Sequence, residues 1–263
     1  MREDGWQPWS PGQAIRLPGL APVIGHRGAA ARAPENTLAG LHRAAALGAR
    51  WVEVDVMLTG DGVPVLIHDE TLQRTTNGRG RVAERTAAEI AALDAGSWFA
   101  PAFAGERVPT LDQAVAQLLA LGLGCNAEIK PSAGTAVATG EVVATRLRQL
   151  WPADGPPLLV SSFARDALAA AQRAAPGIPR GLLAGRLPAD WAVAMRALGC
   201  ATLHLGHRGL ALRRLRALAA EGAPVLVYTV NEPRRAAELL EAGAVAVITD
   251  VPDTILAALA RPQ

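Results

Sequence analysis

Trp51-Val52-Glu53-Val54-Asp55-Val56-Met57-Leu58, followed at once by Thr59-Gly60-Asp61-Gly62, is the stretch from which the fold can be read. Side chains alternate between the two faces of a β-strand, so Val52, Val54, Val56 and Leu58 share one face and Trp51, Glu53, Asp55 and Met57 the other. The valine face suits packing against helices. Glu53 and Asp55 then point into an interior, where two carboxylates are costly unless a cation or hydrogen-bonding groups compensate. No Lys or Arg alternates with them, so a simple ion pair within the strand does not explain them.

Outward from this strand, short β-like runs alternate with amphipathic helical stretches from Pro22 to the C-terminus, the pattern of repeated βα units around a parallel sheet. The strand candidates are Val23 to His26, Trp51 to Leu58, Cys125 to Lys130, Leu158 to Phe163, Gly181 to Ala184, Ala201 to Leu205, Val225 to Val230 and Val245 to Thr249. Helical stretches between them include Asn36 to Leu47, Leu111 to Leu121, Ala136 to Leu150, Arg165 to Ala175, Ala189 to Leu198, Leu210 to Ala220 and Pro233 to Glu241. Gly48, Gly122, Gly199, Gly222 and Gly243 follow several of these as left-handed C-caps. Eight strands with intervening helices predict a closed (β/α)8 TIM barrel, and at 263 residues one such barrel accounts for the chain. An open dinucleotide-binding sheet is excluded at its fingerprint, because no strand leads into G-x-G-x-x-G before a helix.

Val63 to His68 falls outside the parallel count, since Gly60-Asp61-Gly62 is a tight turn and parallel neighbours need a long crossover. It reads as the return arm of a hairpin extending the second strand. A turn centred between Asp61 and Gly62 pairs Asp55 with His68. The segment from Asp69 to Pro109, with turn residues Asn77, Gly78 and Gly80, a short helix over Thr86 to Leu93 and the pair Trp98-Phe99, reads as a rim insertion. Residues 1–21 read as an N-terminal extension, anchored on the barrel by Trp6 and Trp9.

Basic residues exceed acidic ones by only two, and the arginines form no run, so composition argues against a nucleic-acid partner and for a small molecule. Cys125 and Cys200 lack metal-ligand spacing and read as buried thiols. No apolar leader is evident from Met1 to Leu20, and no run reaches the roughly 18 apolar residues of a membrane span. The expectation is a cytoplasmic protein without stable membrane insertion. Oligomeric state is not legible.

The third strand repeats the logic of the second, with Asn126, Glu128 and Lys130 on one face. A third inward acid thus appears beside a cation. Three hard oxygen ligands without a convergent Cys or His set point to one divalent cation, Mg²⁺ or Ca²⁺, rather than zinc. His26 ends the first strand in Gly25-His26-Arg27-Gly28, at the barrel mouth. Two histidines converging on three acids, an Arg and a Lys form the chemistry of a phosphate ester.

With these residues in hand the chain, from about Val23 to Asp253, resembles the glycerophosphodiester phosphodiesterase family, particularly its soluble bacterial members. The matching signatures run in order: His26-Arg27-Gly28, Pro34-Glu35-Asn36-Thr37, Glu53-Val54-Asp55 with Asp61-Gly62, His68-Asp69, Glu128-Ile129-Lys130, Ser162-Phe163, Thr229-Val230-Asn231 and Ile248-Thr249-Asp250. The resemblance implies His26 and His68 as the acid/base pair, Glu53, Asp55 and Glu128 as metal ligands, and Arg27 and Lys130 on the phosphate. It implies hydrolysis of glycerophosphodiesters, such as glycerophosphocholine or glycerophosphoethanolamine, to glycerol 3-phosphate and an alcohol. Where the family commonly has Trp before Thr-Val-Asn this chain has Tyr228, a flat aromatic toward the glycerol or alcohol part.

Within that scheme one histidine takes a proton from the nucleophile and the other protonates the leaving oxygen. The hairpin sets His68 beside Asp55 while His26 comes from the first strand, so the two approach the phosphorus from different sides, with His68 taken as the acid and His26 as the base. The nucleophile is water, or first the glycerol 2-hydroxyl through a cyclic phosphate, a choice left open. A lysophospholipase D-type or cyclising activity is the nearest enzymatic alternative, and a catalytically silent phosphodiester-binding protein the alternative from another class. Glu35 and Asn36 read as cap and support of the first helix, Glu35 tethering Arg27. His42 reads as a surface residue, and His204 and His207, three apart at a strand end, as pointing to opposite faces.

Overall fold

A computed structural model describes residues 6–12 and 17–260. Eight parallel strands close into a barrel: β1 (Val23–His26), β2 (Trp51–Leu58), β4 (Gly124–Ile129), β5 (Leu158–Ser162), β6 (Arg180–Ala184), β7 (Thr202–Gly206), β8 (Val225–Tyr228) and β9 (Ala246–Thr249), with β1 pairing both β9 and β2 to close the ring. The (β/α)8 expectation holds. Helices α1 (Leu38–Ala46), α3 (Leu111–Leu121), α4 (Ala136–Leu150), α5 (Arg165–Ala174), α6 (Trp191–Ala197), α7 (Leu212–Ala220), α8 (Pro233–Glu241) and α9 (Pro252–Leu259) cover the outside, and the short α2 (Ala87–Ala91) lies in the rim insertion. All five helix-ending glycines have positive φ, from +56° to +103°, as left-handed caps require.

Alternation along β2 divides its side chains as expected. Val52, Val54 and Val56 join Leu41, Val115 and Leu147 in the layer between strands and helices. On the inner face Trp51 packs with Ile24, Leu159, Leu226 and Ile248 as an apolar plug, and the polar residues lie above it toward the strands' C-terminal ends. The plug's buried apolar rings and branched chains exclude water from the lower barrel. Beyond it, Met57 leaves the barrel interior and packs with Val65, Ile67, Leu72, Val82, Ile90 and Val108. The rim insertion therefore carries a small apolar core of its own, rooted on the hairpin.

The hairpin differs from expectation by one residue. β3 (Pro64–Leu66) pairs with β2 through Val56–Leu66, Met57–Val65 and Leu58–Pro64, which sets Ile67, not His68, opposite Asp55. The Ile67 N–H donates to the Asp55 carbonyl at 3.1 Å. The reason lies in the turn: Thr59 N–H donates to the Val63 carbonyl at 3.0 Å, enclosing three loop residues that end in Gly62 at φ +79°. Three-residue hairpin loops use such a left-handed final residue. The ladder ends at Leu66, so His68 is free of the strand's alternation.

Trp6 and Trp9 do anchor the N-terminal extension. Their indole nitrogens donate to the carbonyls of Gly177 (2.8 Å) and Gly222 (3.1 Å), and the Trp9 ring packs 4.9 Å from that of Trp191. The readings that rest on residues 1–5 and 13–16 fall outside the described residues. Cys125 and Cys200 are buried and unbridged, and burial pushes the Cys200 thiol to about 12. Among the described residues no helix is long and apolar enough to cross a membrane.

Candidate active site

Register brings the inner acids together. His26 is the β1 neighbour of Glu53, and Asp55 is the β2 neighbour of Glu128. Glu53, Asp55 and Glu128 each offer a carboxylate oxygen within 4.8 Å of the others, all three residues being buried. Burial, then the charges of Asp55 and Glu128, pushes Glu53 well above the usual carboxylate range. Burial and Asp55 likewise raise Glu128 to about 7. For Asp55 burial acts in the same direction, but Arg27, Lys130 and the two histidines outweigh it and its pKa falls. Glu53 Oε1 is buried with no hydrogen-bond partner. An all-carboxylate set with an orphaned oxygen fits a hard divalent cation.

Around the acids stand the basic groups. Lys130 Nζ lies 3.4 Å from Glu128 Oε1 and 3.7 Å from Asp55 Oδ1. Arg27 Nε lies 3.1 Å from Asp55 Oδ2, and its Nη1 donates to Glu35 Oε1 at 2.6 Å. Burial alone would lower the Arg27 pKa, but Asp55, Glu35 and Glu53 reverse this and raise it. The loop carrying Arg27 is unusually constrained. A Cβ on Gly25 would fall 2.0 Å from the Gly28 carbonyl oxygen, and Gly28, at φ +89°, abuts the backbone of Gly40.

Arg27 and Asn36 are the two non-glycine residues with positive φ among those described, at +50° and +55°. Such conformations persist where surrounding structure holds them. Here the Asn36 N–H donates to the Arg27 carbonyl at 3.1 Å, and the Arg27 N–H to Glu53 Oε2 at 3.2 Å. The Asn36 side chain donates to Asp55 Oδ2 at 2.8 Å while accepting from the Asp55 N–H at 3.0 Å. Asn36 is thus no helix cap. That role falls to Thr37, whose hydroxyl accepts from Gly40 N–H at 3.1 Å. Glu35 does tether Arg27, as expected.

Both histidines present the same side of the ring to an aspartate. His26 Nδ1 is 2.6 Å from Asp250 Oδ1, with Nε2 3.8 Å from Glu53 Oε2. His68 Nδ1 is 2.5 Å from Asp69 Oδ1. Asp69 is held in turn by Arg74, which also donates to both oxygens of Glu35 at 2.8 Å. His68 is therefore tied through Asp69, Arg74 and Glu35 to Arg27. Burial lowers the His68 pKa even though Asp55 acts to raise it.

Tyr228 stands across the mouth, its hydroxyl donating to the Ala184 carbonyl at 3.0 Å and its ring edge-on to Phe163 at 6.2 Å. Phe163, half exposed, lines with His68, Glu128, Lys130 and Pro131 a cleft of about 590 Å³. His42 is exposed, and His204 is buried on Thr202 at 2.9 Å, away from the acids. Asp250, Asn231, Asp69 and Arg74 were not assigned roles from sequence. A signal existed for Asp250 and Asn231, polar residues directly after strands, but Arg74 sits in the irregular insertion with none.

The family model for the glycerophosphoryl diester phosphodiesterase family matches residues 26–254. The chain belongs to this family. A glycerophosphodiester phosphodiesterase of Caldanaerobacter subterraneus is 34% identical over 235 residues, covering 89% of this chain and 96% of that protein. The solved structure of an Oleispira antarctica phosphodiesterase in complex with the product sn-glycerol-3-phosphate is 40% identical, with TM-score 0.89 over 92% of this chain and 98% of the other. That of the Agrobacterium tumefaciens glycerophosphodiester phosphodiesterase is 30% identical, with TM-score 0.73 and coverage of 90% and 100%. This member of the family is accordingly an enzyme, a phosphodiesterase acting on glycerophosphodiesters.

Proposed function

We propose that this glycerophosphodiester phosphodiesterase releases glycerol 3-phosphate and an alcohol from substrates such as glycerophosphocholine, with His26 and His68 as the acid/base pair. The observation that carries the reading is the convergence of three buried carboxylates within 4.8 Å on two histidines, each braced at Nδ1 by an aspartate. The product complex of the Oleispira antarctica relative supports glycerol 3-phosphate as product.

Glu53, Asp55 and Glu128 would hold one Mg²⁺ or Ca²⁺ ion. When bound, such an ion supplies Lewis acidity toward a phosphoryl oxygen. Lys130 and Arg27 add fixed positive charge where negative charge grows on the phosphoryl oxygens, in a site already shielded from water. Each aspartate accepts a hydrogen bond from its histidine's Nδ1–H, leaving Nε2 as the working nitrogen of the ring. Burial favours the neutral, proton-accepting form of His68. Ile67, not His68, stands opposite Asp55, and His26 Nε2 itself lies 3.8 Å from Glu53 Oε2. We therefore assign proton removal from the nucleophile to His68 and protonation of the leaving oxygen to His26, reversing the assignment made from sequence. Tyr228 and Phe163 offer ring faces to the alcohol portion. Two buried thiols suit a reducing compartment, in keeping with a cytoplasmic enzyme.

Turnover of glycerophosphocholine with added Mg²⁺ or Ca²⁺, followed by glycerol 3-phosphate release, tests the activity. Choline and glycerol 3-phosphate in equal amounts are expected. Release of phosphocholine, or no turnover with either ion, would refute it.

A further inference from the structure

The loops after β6 and β7 enclose a second cleft on the same face of the barrel, of about 700 Å³, lined by Arg186, Arg208, Arg213 and Arg214 together with Leu205 and Leu210. No acid lines it. The four arginines are exposed, and among the described residues none of them has a carboxylate partner. This contrasts with Arg32, Arg81, Arg146 and Arg165, which pair with Asp253, Glu70, Asp112 and Asp190. Between residues 185 and 216 six arginines face a single acid, Asp190, and Arg165 already occupies it. A chain with a net charge of +2 therefore concentrates an excess of five positive charges in this one segment.

Backbone adds to the field. Helix α7 starts in the cleft wall at Ala211, which offers no capping side chain, and its first turn holds no acid. Its amide N–H groups and dipole favour an anion there. Guanidinium groups from two loops and from the first turn of α7 around one concavity suit a phosphate, whose oxygens accept paired N–H donors. The cleft is separate from the catalytic one, since no lining residue is shared. Tyr228 stands between them: its hydroxyl is bonded to Ala184, and its carbonyl accepts the His207 N–H at 2.7 Å.

We propose that this arginine cleft is a second anion site, taking a phosphate-bearing group. The group belongs either to the alcohol portion of a substrate reaching past Tyr228 or to a free phosphorylated molecule. Existence of the site does not depend on the catalytic reading, which the substrate arm below alone invokes.

Calorimetric titration of the full chain with pyrophosphate in EDTA tests the site, because the cation-free carboxylate cluster repels anions. Single-site saturation is expected for the wild type and for Lys130→Met. Binding at least about tenfold weaker is expected for the triple variant Arg208→Ser/Arg213→Ser/Arg214→Ser, with unchanged circular dichroism. No saturation by the wild type, undiminished binding by the triple variant, or loss in Lys130→Met alone would overturn the site. Kinetics then separate the sources. With a glycerophosphodiester whose alcohol carries a phosphate monoester, a KM raised about tenfold in the triple variant, beside an unchanged KM for glycerophosphocholine, identifies the substrate's own headgroup. Unchanged KM values for both, with the titration effect intact, identify a free ligand. Failure of the wild type to turn over either substrate would count against the catalytic reading and leave the titration result standing.

Discussion

Nδ1 of His26 lies 2.6 Å from Oδ1 of Asp250, 224 residues away in the chain. Asp250 is itself fixed: Asn231 donates to its Oδ2 at 2.6 Å, and the Asp250 N–H donates to Asn231 Oδ1 at 2.8 Å. The ends of β1, β8 and β9 thus orient one imidazole. Asp250→Asn puts an amide where the ring needs a carboxylate and favours the wrong tautomer. We expect kcat to fall by about 10²-fold or more while KM stays near wild type. Steady-state kinetics with glycerophosphocholine check this, and a matching rise in KM alone would mean that Asp250 serves binding instead.

Separate roles for the histidines predict unequal responses to the leaving group. His26→Ala and His68→Ala should each lower glycerophosphocholine turnover by roughly 10²-fold or more. Bis-p-nitrophenyl phosphate has a leaving group, p-nitrophenolate, that departs without protonation, so with it His26→Ala should recover most activity and His68→Ala should not. Rescue of His68→Ala alone would invert the assignment, and equal rescue would end the separate-roles scheme.

The acid cluster makes the metal-free protein sensitive to pH. Glu128, raised to about 7, and Glu53, held well above the usual carboxylate range by burial, both favour protonation in the folded state. A raised folded-state pKa gives stability that is full below the unfolded value, near 4.3, and lost as pH climbs through the folded value. In EDTA, Tm should therefore fall between about pH 4.5 and 7. Saturating Ca²⁺ or Mg²⁺ should restore it at neutral pH, since binding at 100 times Kd adds about 2.7 kcal/mol. Glu128→Gln should flatten the metal-free profile. Calorimetry across that range decides, a flat wild-type curve in EDTA being the contrary outcome.

Chelation should abolish turnover and leave the far-ultraviolet dichroism intact. The apolar plug of Trp51, Ile24, Leu159 and Leu226 lies beneath the acids and does not use them. Simultaneous loss of fold and activity would make the cation structural.

Asn36 invites an inverted mutational order. Its amide serves both the Asp55 carboxylate and N–H, and its φ is +55°. Removing the amide leaves buried groups unpaired, at about 1–3 kcal/mol. Alanine additionally meets the left-handed backbone penalty of about 1–2 kcal/mol, which glycine avoids. In urea unfolding, Asn36→Gly should therefore be the more stable variant, the opposite of the order within a helix.

Much of this molecule is legible before folding. Alternation in WVEVDVML divides β2 into a helix-facing and an inward face, because a strand's side chains must alternate whatever surrounds them. The same rule turns Glu128 inward, and repetition of βα units implies the closed barrel. Identity of the acids, of His26 and of Lys130 as site residues follows from local pattern and resemblance.

What alternation could not supply was position outside regular strands. A single extra loop residue, Gly60, moved the β3 register and set Ile67 opposite Asp55, since register follows from how a turn closes. His68 reaches the site only because the ladder stops at Leu66 and Arg74 holds Asp69. Asn36 meets Asp55 through a left-handed backbone that no composition announces. Asp250 meets His26 because ring closure makes β9 the neighbour of β1. Local chemistry is written in the spacing of residues along one strand; the partners of that chemistry come from distant segments, and only closure of the barrel brings them within a hydrogen bond.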